Sequence, residues 1–93
     1  MPYELILTGK FKKSLKLAGK RGLDISLLED VVTKLQHNII LEERFRDHEL
    51  KGTYQGFREC HIQPDWLLIY LKEDHILTLT LVDTGTHADL FNM

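Results

Sequence analysis

The 93 residues include one cysteine, two prolines and one tryptophan, and no apolar run approaches the ~20 residues that cross a bilayer. The lone thiol, Cys60, excludes an intramolecular disulfide framework and any paired-cysteine zinc site, and it fits a reducing compartment. No stretch rich in proline, glycine or serine divides the chain, and no internal repeat is visible. One domain over residues 1–93 is therefore expected. At the start, apolar residues precede the charges and no small-residue cleavage site follows, the reverse of a secretory signal. A cytoplasmic location with no membrane partner is expected. What is present is ordinary for a folded chain: 43% hydrophobic and 28% charged residues argue against intrinsic disorder. A chain of this length buries roughly 60–65% of its unfolded surface, enough for one modest core.

Charge is unevenly placed. Lys10, Lys12, Lys13, Lys16, Lys20 and Arg21 fall within residues 10 to 21, which hold no acid, so the net charge of −2 leaves −8 on the rest of the chain. A basic block on an acidic body suggests a site for nucleic acid or another polyanion on one face. The plain alternative is a solvated helix face.

Residues 3–7 (YELIL) read as a short strand. Phe11, Leu15 and Ala18 recur at helical spacing, so residues 9–21 read as a helix with its lysines mostly opposite that stripe, ended by Gly22. Asp24 or Ser26 can cap the next helix, with Ser26 and Glu29 at capping-box spacing. Its apolar face is Leu28, Val31, Val32, Leu35 and Ile39. Residues 40–56 are mixed, with turns at Gly52 and Gly56. Three strands follow: Phe57 to Ile62, a Gln63-Pro64-Asp65 turn, Trp66 to Leu71, a polar turn over Lys72 to His75, and Ile76 to Val82. In the last, Leu77, Leu79 and Leu81 alternate with Thr78 and Thr80. The expected fold is α+β: an N-terminal strand, two helices on one face of a mostly antiparallel sheet, and an opposite face left free.

Five histidines are many for this length. Imidazole suits proton transfer near neutral pH. Strand parity puts Cys60 and Ile62 toward the core, and Phe57, Glu59 and His61 on the other face. With His87 and Asp65 nearby, an acid–base cluster can form there. His37 and His75 read as surface or hydrogen-bonded residues. Metal binding finds no HxH, HExxH or Cys/His pair, so no metal is expected. Cys60 reads as a buried structural thiol rather than a nucleophile. Composition and spacing leave an α+β domain with a polyanion-binding face.

Five motifs occur in order: Asp47-His48-Glu-Leu50; Gly52-Thr-Tyr54; Gly56-Phe57-Arg58-Glu-Cys-His61; Pro64-Asp65-Trp66 followed by LLIY; and Gly85-Thr86-His87-Ala-Asp-Leu90-Phe91. This set resembles the YafQ branch of the RelE-like toxins of bacterial type II toxin–antitoxin systems, over nearly the whole chain. The resemblance implies the same α+β fold, completed by a short C-terminal helix. It implies an endoribonuclease that enters the ribosomal A site and cuts mRNA, partnered by an antitoxin. That complex, rather than the toxin alone, would meet operator DNA. No cofactor is implied: the RNA 2′-OH attacks the adjacent phosphate, which needs a base, an acid for the 5′-oxygen and charge stabilisation. By this resemblance the catalytic positions fall on His48, His61, Asp65, His87 and Phe91; we assign His48 as base, His87 as acid, His61 as stabilising the phosphate or sharing the base role, Asp65 as orienting a histidine or binding the 2′-OH, and Phe91 as stacking on or bracing the scissile nucleotide. Asp83 stands where several relatives carry arginine, and Arg58 is a candidate replacement cation, although its strand parity points coreward. Two other readings are a catalytically weak homologue serving as antitoxin-binding co-repressor, and a gyrase-directed, ParE-like toxin, which needs no acid–base set.

Overall fold

The structure is a computed structural model and describes residues 2–91. Its elements run β1 (Glu4–Leu7), α1 (Gly9–Lys20), α2 (Ile25–Gln36), β2 (His48–Glu49), β3 (Arg58–Gln63), β4 (Trp66–Glu73), β5 (Thr78–Gly85) and α3 (His87–Phe91). The sheet order is β1-β5-β4-β3-β2. β1 lies parallel to β5 and every other pairing is antiparallel. The α+β expectation holds, including the short last helix.

Both long helices begin and end for visible reasons. The Thr8 hydroxyl accepts from the Phe11 amide at 2.9 Å and caps α1. At the other end Gly22, at φ 81°, lets its own amide and that of Leu23 reach the Gly19 and Ala18 carbonyls. Asp24 caps α2 by accepting from the Ser26 amide at 3.0 Å. Asp24 is therefore the cap and Ser26 lies inside the helix, contrary to the capping-box alternative. Asn38, at φ 60°, ends α2 with the same double closure, its amide on Leu35 and that of Ile39 on Lys34. Ile39 consequently falls beyond the helix and is 52% exposed, not part of its buried face.

The two faces of the sheet are covered unequally. Phe11 and Ala18 of α1 and Leu28, Val31, Val32 and Leu35 of α2 pack on Cys60, Ile62, Trp66, Leu68, Tyr70, Leu79 and Leu81. The opposite face is not bare, as the sequence suggested. Leu67 and Ile69 are fully buried there beneath Leu90 of α3, with Leu50, Tyr54, Phe57, Val82 and Phe91 packed around them. Leu77 also departs from expectation. It takes a left-handed conformation at the end of a 3₁₀ turn and is exposed, so the core row of β5 begins at Leu79.

Candidate active site

The second face of the sheet carries His48, His61 and His87, and strand register explains why. β2 pairs with β3 so that His48 stands opposite Glu59, and residues directly opposite share a face. Two residues along β3, His61 stands opposite Leu67, which in turn faces Gly85 of β5. The chain then turns at Gly85 into α3 and delivers His87. A Cβ at Gly85 would lie 2.9 Å from the Asp89 side chain, and its φ of 155° disfavours other residues. Thr86 and Asp89 cap α3 reciprocally, each amide donating to the other's side chain at 3.0 and 3.1 Å.

Glu59 sits at the centre and is 4% exposed. Its Oε1 lies 3.7 Å from His48 Nε2 and 3.6 Å from His61 Nε2. Each ring is fixed from its other side. His48 Nδ1 donates to the Arg46 carbonyl at 2.6 Å, and His61 Nδ1 donates to the Pro64 carbonyl at 3.3 Å. In the neutral rings the protons therefore sit on Nδ1, and both Nε2 lone pairs face the cluster. The rings of His61 and His87 are 5.8 Å apart, and His87 Nδ1 is 3.5 Å from Asp65 Oδ1. Phe91 lies 6.2 Å from His87 and stands edge-on to Tyr54 at 5.8 Å. His48, His61, Asp65, His87 and Phe91 are thus brought together.

Glu59 was placed on this face by parity but given no role. Its burial has no local sequence signal, because parity puts Glu59 on the face that reads as free; once buried, a carboxylate is costly unless it is paired. His48, within the mixed stretch 40–56, lies on an edge strand.

The candidate RNA contacts fare less uniformly. Lys12, Lys13, Lys16 and Lys20 are exposed on α1. Lys10 is 3.5 Å from buried Asp83, and Arg21 pairs with Asp89 at 2.7 and 3.4 Å. The Arg21 guanidinium holds the Asp89 carboxyl down at about 2, aided by the Thr86 amide. Arg58 is not brought to the histidines. It lies on the helix side, bonded to Asp47 and to the Tyr70 hydroxyl, each at 3.3 Å. Asp83 does not stand open to repel a phosphate. It accepts from Ser14 Oγ at 2.5 Å and from the Thr84 amide at 2.9 Å, which anchors α1 to β5.

One set of groups fits a metal ion. Ligand atoms of Glu59, His61 and His87 lie within 4.8 Å of one another. Two imidazoles and a carboxylate suit zinc or copper.

The profile described as "Bacterial toxin of type II toxin-antitoxin system, YafQ" matches residues 3–92. The mRNA interferase toxin YafQ of Escherichia coli K12 is 41% identical over 85 residues, 90% of each chain. Toxin structures agree closely. The E. coli DinJ-YafQ toxin-antitoxin complex superposes with a TM-score of 0.89 at 38% identity, covering 98% of this chain and 99% of that one. A metal-bound toxin from Helicobacter pylori gives 0.90 at 42%, covering 96% and 99%. The histidine face and these matches, which run almost end to end, agree: the chain belongs to the YafQ family of toxins of bacterial type II toxin–antitoxin systems.

Proposed function

We propose that this protein is an mRNA interferase that cleaves codons in the ribosomal A site by acid–base chemistry without metal, in the cytoplasm, as one toxin domain restrained by a cognate antitoxin. The observation that carries this is Glu59 set between the Nε2 atoms of His48 and His61, with His87 adjoining. His48 Nε2 takes the proton from the 2′-OH, and the new imidazolium faces the Glu59 carboxylate, which offsets its charge. His61, next to the same carboxylate, assists at the phosphate. His87, oriented by Asp65, protonates the departing 5′-oxygen, and Phe91 stacks on the nucleotide. The shallow site offers little binding energy with which to force free RNA into in-line geometry, so the ribosome presents the strand. The lysines of α1 dock on ribosomal RNA, and operator DNA is met through the antitoxin complex.

A metal-assisted reaction is the second reading, favoured by the spacing of Glu59, His61 and His87 and by the metal-bound H. pylori relative. The proteins named as mRNA interferases make the co-repressor and gyrase readings less suited to this site. Mapping 3′ ends on programmed ribosomes, with and without chelator, decides among these. Cleavage within A-site codons that survives chelation supports the proposal. Loss of cleavage on chelation, restored by zinc or copper, selects the metal reading. Equal cleavage of naked mRNA at the same codons refutes the ribosome requirement.

A further inference from the structure

A groove of about 660 Å³ runs between α2 and the 3₁₀ turn at Glu43–Phe45 and opens at His61 and Pro64. Lys34, Arg44 and Arg46 line it, against a single lining acid, Asp30. The ring of buried Phe45 forms its floor, with the Arg44 guanidinium 4.4 Å and the Lys34 ammonium 5.5 Å from the ring centre. Arg44 and Lys34 also share Glu42, at 3.5 and 4.0 Å. Arg46 has no carboxylate partner among the described residues.

Arg46 has a second peculiarity. It adopts φ 46°, ψ 44°, the left-handed region that favours glycine. That conformation turns its carbonyl to His48 Nδ1 at 2.6 Å. Glycine would give the same carbonyl direction with less strain, so the strain of a long cationic side chain here is not explained by the His48 contact. The groove supplies what the side chain would do. It leads to His61, and its cations lie on a different element from the lysines of α1.

We infer that this groove seats the phosphate backbone of the substrate RNA strand beside the scissile position, with Arg46 as its central contact. The inference rests on the mRNA-cleavage reading. It adds a subsite on the opposite side of the Gln63–Asp65 turn from the cleft beneath α1, which Lys10, Arg21 and Asp65 line. Arginine suits a phosphate because its planar fork can donate two hydrogen bonds, whereas lysine acts as a point charge.

The test uses the whole protein and a short single-stranded RNA carrying 2′-O-methyl groups, which cannot be cleaved. Arg46→Gly keeps the positive φ and the carbonyl for His48 but removes the guanidinium. Arg46→Asn, also tolerated at this φ, is the second variant. Both should melt no lower than wild type. In fluorescence anisotropy, affinity should fall roughly 3- to 10-fold, and the salt slope should flatten by about 0.7 for one lost phosphate contact. On programmed ribosomes the half-saturating toxin concentration should rise by a similar factor. Arg46→Lys should fall between. Unchanged affinity and salt slope in the glycine and asparagine variants would overturn the inference. So would a lower saturated rate with unchanged binding, which would reduce Arg46 to its carbonyl. Weaker association with ribosomes lacking mRNA would reassign the groove to ribosomal RNA and also overturn it. The two readings fail separately. A wild type that cleaves nothing while the RNA-binding difference persists removes only the cleavage reading.

Discussion

The two faces of the sheet treat ionisable groups in opposite ways. Under α1 and α2 they are held in inert forms. Burial pushes the Cys60 thiol far above its ordinary value, and burial together with the Asp47 carboxylate does the same to the Tyr70 hydroxyl. Tyr70 donates to Asp47, which also holds Arg58, so the polar groups there satisfy one another. On the other face Glu59 is as deeply buried, but its close partners are two imidazoles, one of them half exposed. The same burial fixes structure on one side and leaves a proton acceptor within reach of solvent on the other. The contrast arises because alternate residues of β3 point to different environments.

The sharpest way to break that comparison is His87→Ala. His87 lies at the rim of the small core, with its side chain 41% exposed, and the reciprocal cap of Thr86 and Asp89 does not use it. Single-turnover cleavage of ribosome-bound mRNA should fall about 10²–10⁴-fold, the worth of a positioned acid. Stability should change by no more than ~0.5 kcal/mol, as at other surface positions. Equal cleavage at an equal Tm would remove His87 from the mechanism, and a much lower Tm would make it a structural residue.

Leu79→Ala probes the opposite face and should give the opposite pattern. Leu79 is fully buried beneath the helices. Truncation should cost about 2–5 kcal/mol in denaturant unfolding. The cleavage rate of the fraction still folded should match wild type. A loss of activity larger than the loss of folded protein would show that the faces are coupled.

How far each face is legible in sequence follows from the same contrast. The helix side announces itself by periodicity: Phe11, Leu15 and Ala18 at helical spacing, then Cys60 and Ile62 at strand spacing. The thin side depends on register and on what α3 covers, and neither has a local pattern. A two-residue edge strand such as His48–Glu49 is too short to show alternation. The left-handed Arg46 and Leu77 end elements where their own side chains give little warning. The motif resemblance supplied His48, His61, Asp65, His87 and Phe91. Glu59 needed the covering of the second face, and Asp83 needed α1, whose Ser14 lies 69 residues away in sequence.

The basic helix lies at the border between the faces and should show an intermediate effect. Reversing Lys12, Lys13 and Lys16 to Glu should weaken ribosome association roughly 10²-fold near physiological salt and flatten its salt dependence, because about three counterion-releasing contacts are lost. All three are exposed and lie off the Phe11–Ala18 stripe, so Tm should hold. Unchanged association would make these lysines a solvated face only.

The smallest effect should come from the ion pair between Arg21, which follows α1, and Asp89 of α3. Asp89 is held at about 2, chiefly by Arg21 and then by the Thr86 amide, against an ordinary value of 3.8. A carboxyl whose folded value is depressed contributes stability above its unfolded value and loses it as pH falls through the folded one. The contribution should therefore be complete above about pH 5 and gone below about pH 1. Both partners remain partly exposed to solvent, so screening keeps it small. Arg21→Ala should lower Tm by a few degrees at most at pH 6, and the gap from wild type should close progressively between about pH 5 and about pH 1. Comparing the two proteins at each pH cancels the other carboxyls, which titrate in both. Since α3 carries His87 and Phe91, the variant should also cleave somewhat more slowly at neutral pH, with high salt slowing wild type toward it. A gap that stays constant down to pH 2 would show that Arg21 acts through packing, and that its charge does not hold α3 over the small core.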